Sequence, residues 1–119
     1  MNEVIISGNL TRDPQKKSSQ GGTSITSFTV ACNEKIHQSG EEKDFTAFVD
    51  VTVFGPLADV CADALKKGTG VIVRGRYQTR SYMAADGTKK FSTSVIASEV
   101  GTKLFPAKTT AFSRFEMPF

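Results

Sequence analysis

Residues 45–82 read FTAFVDVTVFGPLADVCADALKKGTGVIVRGRYQTRSY, and this stretch decides the fold. Residues 45–54 carry apolar side chains at every second position, which is typical of a strand with one buried face. Gly55 and Pro56 then begin a helix, because proline is tolerated at the first helical position. The next nine residues place apolar side chains at helical spacing, and Gly68 ends the helix. A β-branched run from Gly70 onward predicts a further strand.

The flanking sequence adds three more strands. Residues 3–10 and 23–33 read as strands one and two, and residues 89–100 return as strand five after a turn at 85–88. Residues 15–22 read as a loop or a mobile strand extension, and residues 34–44 as a long flexible hairpin loop. This order predicts an all-β fold with one short helix. It is a five-stranded Greek-key barrel of the oligonucleotide- and oligosaccharide-binding (OB) type, with the helix between strands 3 and 4. An open α+β sheet has a compatible order.

The composition excludes several classes of protein. Cys32 and Cys61 lie far apart with no histidine at ligand spacing, and His37 is the only histidine, so no metal site is expected. No apolar stretch approaches the roughly 20 residues that cross a bilayer. We therefore expect a cytoplasmic protein with reduced, buried cysteines.

The net charge of +3 is unevenly distributed along the 119 residues. Residues 1–65 carry five Lys or Arg against nine Asp or Glu, whereas residues 66–90 carry seven against one. Basic clustering of this kind is expected where a polyanion binds, although a merely solvated surface has the same composition.

Strand alternation identifies a candidate binding surface. In strand three, the odd-numbered residues from 45 to 53 are all apolar and form the core face. Phe48 and Phe54 therefore lie on the other face, between polar residues. In strand four, one face joins Tyr82 to three arginines, namely Arg74, Arg76 and Arg80. Aromatic rings stack on unpaired bases and guanidinium groups bind phosphates, so this surface suits a single-stranded nucleic acid. Alternatively, the aromatics cover a barrel end or a subunit interface.

An enzyme is not expected from this sequence. The carboxylates fall mostly in predicted loops, the single histidine has no evident partner, and no glycine-rich phosphate-binding loop is present.

Several motifs follow one another in order along the chain. The opening follows N-x-V-I-x-x-G-x-L-x-x-D-P, from Asn2 to Pro14. Further motifs are FTVA at 28–31, VFG at 53–55, LKKG at 65–68, VRGR at 73–76 and TRSY at 79–82. Together these motifs resemble bacterial single-stranded DNA-binding proteins, and the resemblance runs from residue 1 to about 104.

The resemblance implies an OB fold, a homotetramer around which single-stranded DNA wraps, and no cofactor. It also implies four base-stacking positions, which fall on Phe48, Phe54, Tyr82 and Ile36. Because Ile36 is not aromatic, one stacking platform is missing. Lys35 and Lys67 fall near basic positions on the DNA path of the family.

Two regions follow from this comparison. Residues 1–104 are expected to form the DNA-binding domain, and residues 105–119 a short flexible tail. Family members end in an acidic tip that recruits replication and repair proteins. Here only the terminal Pro118 and Phe119 remain, with one acidic neighbour, Glu116. The tail therefore reads either as a partner-binding peptide or as an inert extension.

The resulting hypothesis is sequence-independent binding and protection of single-stranded DNA in replication, recombination and repair. The expected location is the cytoplasm, in association with the nucleoid. Two alternatives stay open: an accessory protein of the primosome that restarts replication, or a single-stranded RNA-binding module.

Overall fold

The computed structural model describes residues 1–104. Its elements, in chain order, are β1 (Val4–Leu10), β2 (Gln15–Ser18), β3 (Ser24–Gln38), β4 (Glu41–Phe54), α1 (Pro56–Ala64), β5 (Gly70–Met83) and β6 (Lys89–Thr102). No helix within these residues is long and apolar enough to cross a membrane.

Five of these strands form one closed barrel. The strand order is β1-β5-β6-β4-β3-β2, and β1 also pairs with β3 at Asn9 and Leu10, so the first strand joins both sides of the sheet. This closure excludes the open α+β sheet and confirms the predicted barrel. β2 adds a short strand beside β3. The helix α1 therefore lies between β4 and β5, which are the third and fourth barrel strands, as predicted.

Valine fills most of the barrel interior. The side chains of Val30, Val51, Val53, Val71, Val73 and Val95 are all 1% exposed or less. β-branched side chains have few rotamers to lose and pack well on a pleated surface, so this composition favours strands. The helix α1 packs against β2, β3 and β4 and buries Ala58 and Cys61. The buried Thr26 hydroxyl fixes it by donating a 2.7 Å hydrogen bond to the carbonyl oxygen of Ala58.

Gly8 allows β1 to cross from one neighbour to the other. A Cβ atom at this position would lie 2.1 Å from the carbonyl oxygen of Ala31 on β3, which no side chain tolerates. Just before this crossing, the side chain of Asn2 extends the β1–β5 pairing, because it donates to the carbonyl of Tyr77 and accepts from the N–H of Tyr77. These contacts give a physical reason for the asparagine and glycine of the opening motif.

The predicted flexible loop at residues 34–44 is wrong, because β3 and β4 continue through it. The two strands stay in register from Ile25 and Phe54 out to Gln38 and Glu41. Ser39 and Gly40 form the turn between the two strands, and both have a positive φ. A two-residue hairpin turn needs positive φ at both residues to match the right-handed twist of its strands. Polar composition did not prevent strand formation, since a regular ladder pairs the backbone whatever the side chains are.

Both long hairpins extend beyond the barrel as two-stranded ribbons. We call residues 32–48 the β3–β4 ribbon and residues 77–94 the β5–β6 ribbon. The expectation that Phe45 joins the core is wrong. Phe45 lies on the same face of β4 as Val51 and Val53, but on the ribbon no other layer of residues 1–104 covers that face, and Phe45 is exposed. Tyr77 is exposed for the same reason.

Candidate nucleic-acid interface

Two predicted aromatics lie on the outer face of β4, which is the sheet face turned away from the barrel core. Phe48 is 68% exposed and Phe54 is 38% exposed. Asp50 and Thr52 alternate with them on this face, whereas Val51 and Val53 are buried on the other. The strand alternation seen in the sequence therefore holds here.

The outer face is continuous across β4, β6 and β5. Thr52 of β4 lies beside Ile96 of β6, and Ile96 lies opposite Arg76 of β5. Since directly paired residues share a face, the side chains of Arg76, Arg80 and Tyr82 belong to the same face as Phe48 and Phe54. Tyr82 is 50% exposed and pairs with Lys90. The pairing of β4 with β6 thus joins the two candidate surfaces found separately in the sequence.

An open groove of about 450 Å³ runs along this face. Phe54 and Arg80 both line it, together with Arg12 from the turn after β1 and Lys17 from β2. The remaining lining residues include hydroxyl side chains and one carboxylate; they are Ile25, Ser27, Phe28, Thr29, Asp50, Val51, Thr52, Ser92, Ser94 and Ile96. The groove therefore combines an exposed aromatic ring with three cations.

Arg12 and Lys17 could not be selected from the sequence. Both belong to the first 65 residues, where an excess of acidic residues hid them in the charge count. The turn-forming residues 11–14 and the polar run 15–22 were informative only about loops. β2 brings Lys17 to the groove by pairing with β3, a contact between segments that no local pattern reveals, and Arg12 lies in the turn that leads to β2.

Arg76 lines a second, smaller cleft of about 200 Å³. Asn2, Glu3 and Arg74 share this cleft, which lies toward the barrel end of β5. Arg76 forms no ion pair among the described residues. Its guanidinium group therefore remains available to an anion.

Arg74 is held by two carboxylates. Its Nε donates to Glu3 at 2.8 Å and its Nη1 donates to Glu99 at 2.9 Å. The hydrogen bond that Arg74 donates to Glu3, with the charges of Glu3 and Glu99, raises the pKa of Arg74 above its ordinary value. A bulge in β6 brings Glu99 opposite Arg74, and the Ser98 hydroxyl donates to the Arg74 carbonyl oxygen there. Arg74 thus differs from Arg76 and Arg80 in its surroundings, which the sequence could not indicate.

The remaining predicted site residues lie away from the groove. Ile36 is 37% exposed. It lies on the same face of β3 as the buried Val30, which is the face opposite to that of Phe48. Lys35 is on the same ribbon and forms an ion pair with Glu42 at 3.2 Å. Lys67 lies in the turn after α1, where its backbone N–H donates to Asp13. The structure therefore does not bring these three residues together with the groove.

The terminal Pro118 and Phe119 lie outside the described residues. Within residues 1–104, no cluster of three or more histidine, cysteine or acidic side chains has a geometry that could hold a metal ion.

A closed Greek-key barrel with an aromatic and cationic groove on its outer face defines an OB-fold protein of the oligonucleotide-binding type. Residues 1–102 match the model of the single-strand binding protein family, and the chain belongs to that family. This membership confirms the resemblance found in the sequence. The family is one of binding proteins, which confirms that the chain is not an enzyme.

Curated relatives support the same assignment. Single-stranded DNA-binding protein 3 of Clostridium acetobutylicum is 40% identical over 101 residues, which cover 84% of this chain and 69% of that protein. The single-stranded DNA-binding protein of Clostridium tetani is 41% identical over 101 residues, covering 84% and 68%. Among solved structures, the Plasmodium falciparum SSB complex with ssDNA superposes with a TM-score of 0.81 at 24% identity, covering 87% of this chain and 95% of that one. This last likeness shows the fold.

Proposed function

We propose that this protein binds single-stranded DNA without dependence on sequence and protects exposed strands during replication, recombination and repair. The observation that carries the proposal is the groove in which Phe54 lies among Arg12, Lys17 and Arg80. The family membership of residues 1–102 and the names of the relatives support it.

The chemistry of the groove favours a single strand over a duplex. A base stacked on an aromatic ring contributes about 1–3 kcal/mol, and every base offers a stacking face. A duplex hides these faces, so its bases cannot reach Phe48 or Phe54. Cations beside the rings bind the phosphates and release counterions, which makes binding depend on salt but not on sequence.

In this proposal the predicted residues divide into two roles. Phe48, Phe54 and Tyr82 act as stacking platforms, because they are exposed on one continuous face. Arg76 and Arg80 act on phosphates, together with Arg12 and Lys17. Lys35, Ile36 and Lys67 remain proposed DNA contacts on the strength of the resemblance, although they lie away from the groove. Arg74 remains a proposed contact from strand alternation alone, and its pairing with Glu3 and Glu99 gives it the least support of the three arginines.

Further parts of the proposal rest on the resemblance. We propose a homotetramer that wraps DNA, a binding domain at residues 1–104, and a tail at 105–119. The tail carries Pro118 and Phe119, with which it contacts replication or repair proteins. The proposed location is the cytoplasm, with the nucleoid.

A binding titration tests the proposal. The full chain is titrated with oligo-dT and with duplex of equal length, and oligo-dT is expected to bind far more tightly. Phe54→Ala should weaken oligo-dT binding by about 1–3 kcal/mol, whereas Phe45→Ala should leave it unchanged, because Phe45 lies on the same strand but on the opposite face. Equal affinity for single strand and duplex would contradict the proposal.

A further inference from the structure

One carboxylate, that of Asp50, lines the groove beside the three cations. An acidic side chain in a phosphate-binding groove opposes the binding of any polyanion. Asp50 is also not neutralised inside the protein, since none of the ion pairs among residues 1–104 involves it. A carboxylate in this position needs an explanation that generic phosphate binding does not supply.

The orientation of Asp50 is fixed by its neighbour across the sheet. Thr29 lies directly opposite Asp50 in the β3–β4 pairing, and its hydroxyl donates a 2.8 Å hydrogen bond to Oδ1 of Asp50. This bond uses one acceptor site of Oδ1. The rest of Oδ1 and all of Oδ2 remain available as acceptors, because an ionised carboxylate offers about four acceptor sites.

Asp50 also lies within reach of a stacked base. It is two residues from Phe48 on the same face of β4, a separation of about 7 Å along the strand. A base that stacks on the Phe48 ring extends past the ring and presents one of its edges to the neighbouring side chain. In single strands these edges are the unpaired Watson–Crick edges, which proteins read by hydrogen bonding.

We propose that Asp50 accepts hydrogen bonds from the Watson–Crick edge of guanine, and so adds a preference for guanine to sequence-independent binding. This inference rests on the proposed function. Guanine presents two adjacent donors, N1–H and the N2 amine, which match the two oxygens of a carboxylate. Cytosine and adenine present one amine beside a ring-nitrogen acceptor, and thymine presents one N–H between two carbonyl oxygens. Only guanine therefore meets the carboxylate with two donors and no opposing acceptor between them.

Three oligonucleotides of about 12 nucleotides, within the span of one OB-fold site, test this preference. One is oligo-dT, one carries an isolated guanine at every third position, and one carries hypoxanthine in place of each guanine. Hypoxanthine differs from guanine only by lacking the N2 amine. The full chain is expected to bind the guanine oligonucleotide about fivefold more tightly than the hypoxanthine one, the low end of bidentate base recognition.

Asp50→Asn supplies the critical variant. Its amide keeps one oxygen, to which the Thr29 hydroxyl donates, and replaces the other with an NH2 donor that opposes the donors of guanine. The ratio of guanine to hypoxanthine affinity should therefore fall to about one. The ratio is taken within each variant, so a change in overall affinity cancels. Asp44→Asn makes the same charge change on β4 outside the groove, and should keep the wild-type ratio.

The outcomes separate the two proposals. Wild-type binding with equal affinity for the guanine and hypoxanthine oligonucleotides overturns the role of Asp50 alone. An unchanged ratio in Asp50→Asn overturns it as well, because the discrimination then comes from stacking. Failure of the wild-type chain to bind any of the three oligonucleotides overturns the proposed function and this inference together.

Discussion

The arginines on the outer face of β5 carry the same charge but have different neighbours. Arg74 donates to Glu3 and Glu99, whereas Arg80 lines the groove beside Phe54. A cation that is already paired gains little from a phosphate, because binding would exchange one anion for another. Arg80 has no such competition among the described residues.

This difference predicts separate effects on the salt dependence of DNA binding. Arg80→Gln should reduce the slope of log K against log salt by about one, since each phosphate contact releases about one counterion. Arg74→Gln should leave that slope nearly unchanged and should lower thermal stability, because it breaks the contacts that join β5 to Glu3, just before β1, and to Glu99 of β6. Titrations of oligo-dT at several salt concentrations, with melting curves of the same variants, measure both.

Arg76→Gln serves as a second positive control, since Arg76 lines the smaller cleft without an ion pair of its own. If Arg74→Gln lowers the slope as much as Arg80→Gln does, then the carboxylates release Arg74 when DNA binds.

The side chains of the site could be predicted from sequence where alternation along one strand decided their exposure. The prediction that Phe48 and Phe54 are exposed is correct, because the apolar residues Val51 and Val53 mark the opposite face of β4 as the buried one. Arg12, Lys17 and the pairing of Arg74 could not be predicted. Each depends on residues that are distant in sequence and meet only through strand pairing, such as Glu3 and Arg74.

At the scale of elements, barrel closure depends on the crossing of β1 from β5 to β3. The order of the barrel strands and the helix along the chain was readable in the sequence, because periodicity and turn residues are local signals. The extent of the hairpins was not, because pairing of Glu34 with Phe45 and of His37 with Glu42 needs no apolar pattern. Closure itself rests on a close backbone contact at Gly8, and the opening motif that contains this glycine does not show which strand it meets.

Gly8→Ala should therefore destabilise the barrel. The added Cβ would meet the Ala31 carbonyl oxygen at 2.1 Å, and backbone on both sides must move to relieve the clash. Overpacking of this kind costs about 1–3 kcal/mol, and rigid backbone atoms put the cost at the upper end. Denaturant unfolding measures it. Gly101→Ala is the matched control, since a Cβ there meets no atom within 4 Å. Equal stability of the two variants would show that β1 closes the barrel without close contact.

At the scale of the whole molecule, the two ribbons extend beyond the barrel, and no layer of residues 1–104 packs on them. On the β5–β6 ribbon, Tyr77, Met83 and Phe91 are exposed on the face that continues the barrel core. A two-stranded ribbon is marginally stable alone, so this face favours association between copies.

Sedimentation of the full chain tests this expectation directly. The proposed homotetramer should sediment with four times the 12.9 kDa chain mass, and oligo-dT of increasing length should saturate it without dissociation. Phe91 is 66% exposed, so Phe91→Glu should leave the monomer folded while its charge opposes burial of the ribbon face. The variant should therefore sediment as a smaller species at the same concentration. A wild-type chain that sediments at 12.9 kDa would contradict the tetramer, and a variant that remains tetrameric would show that another face joins the copies.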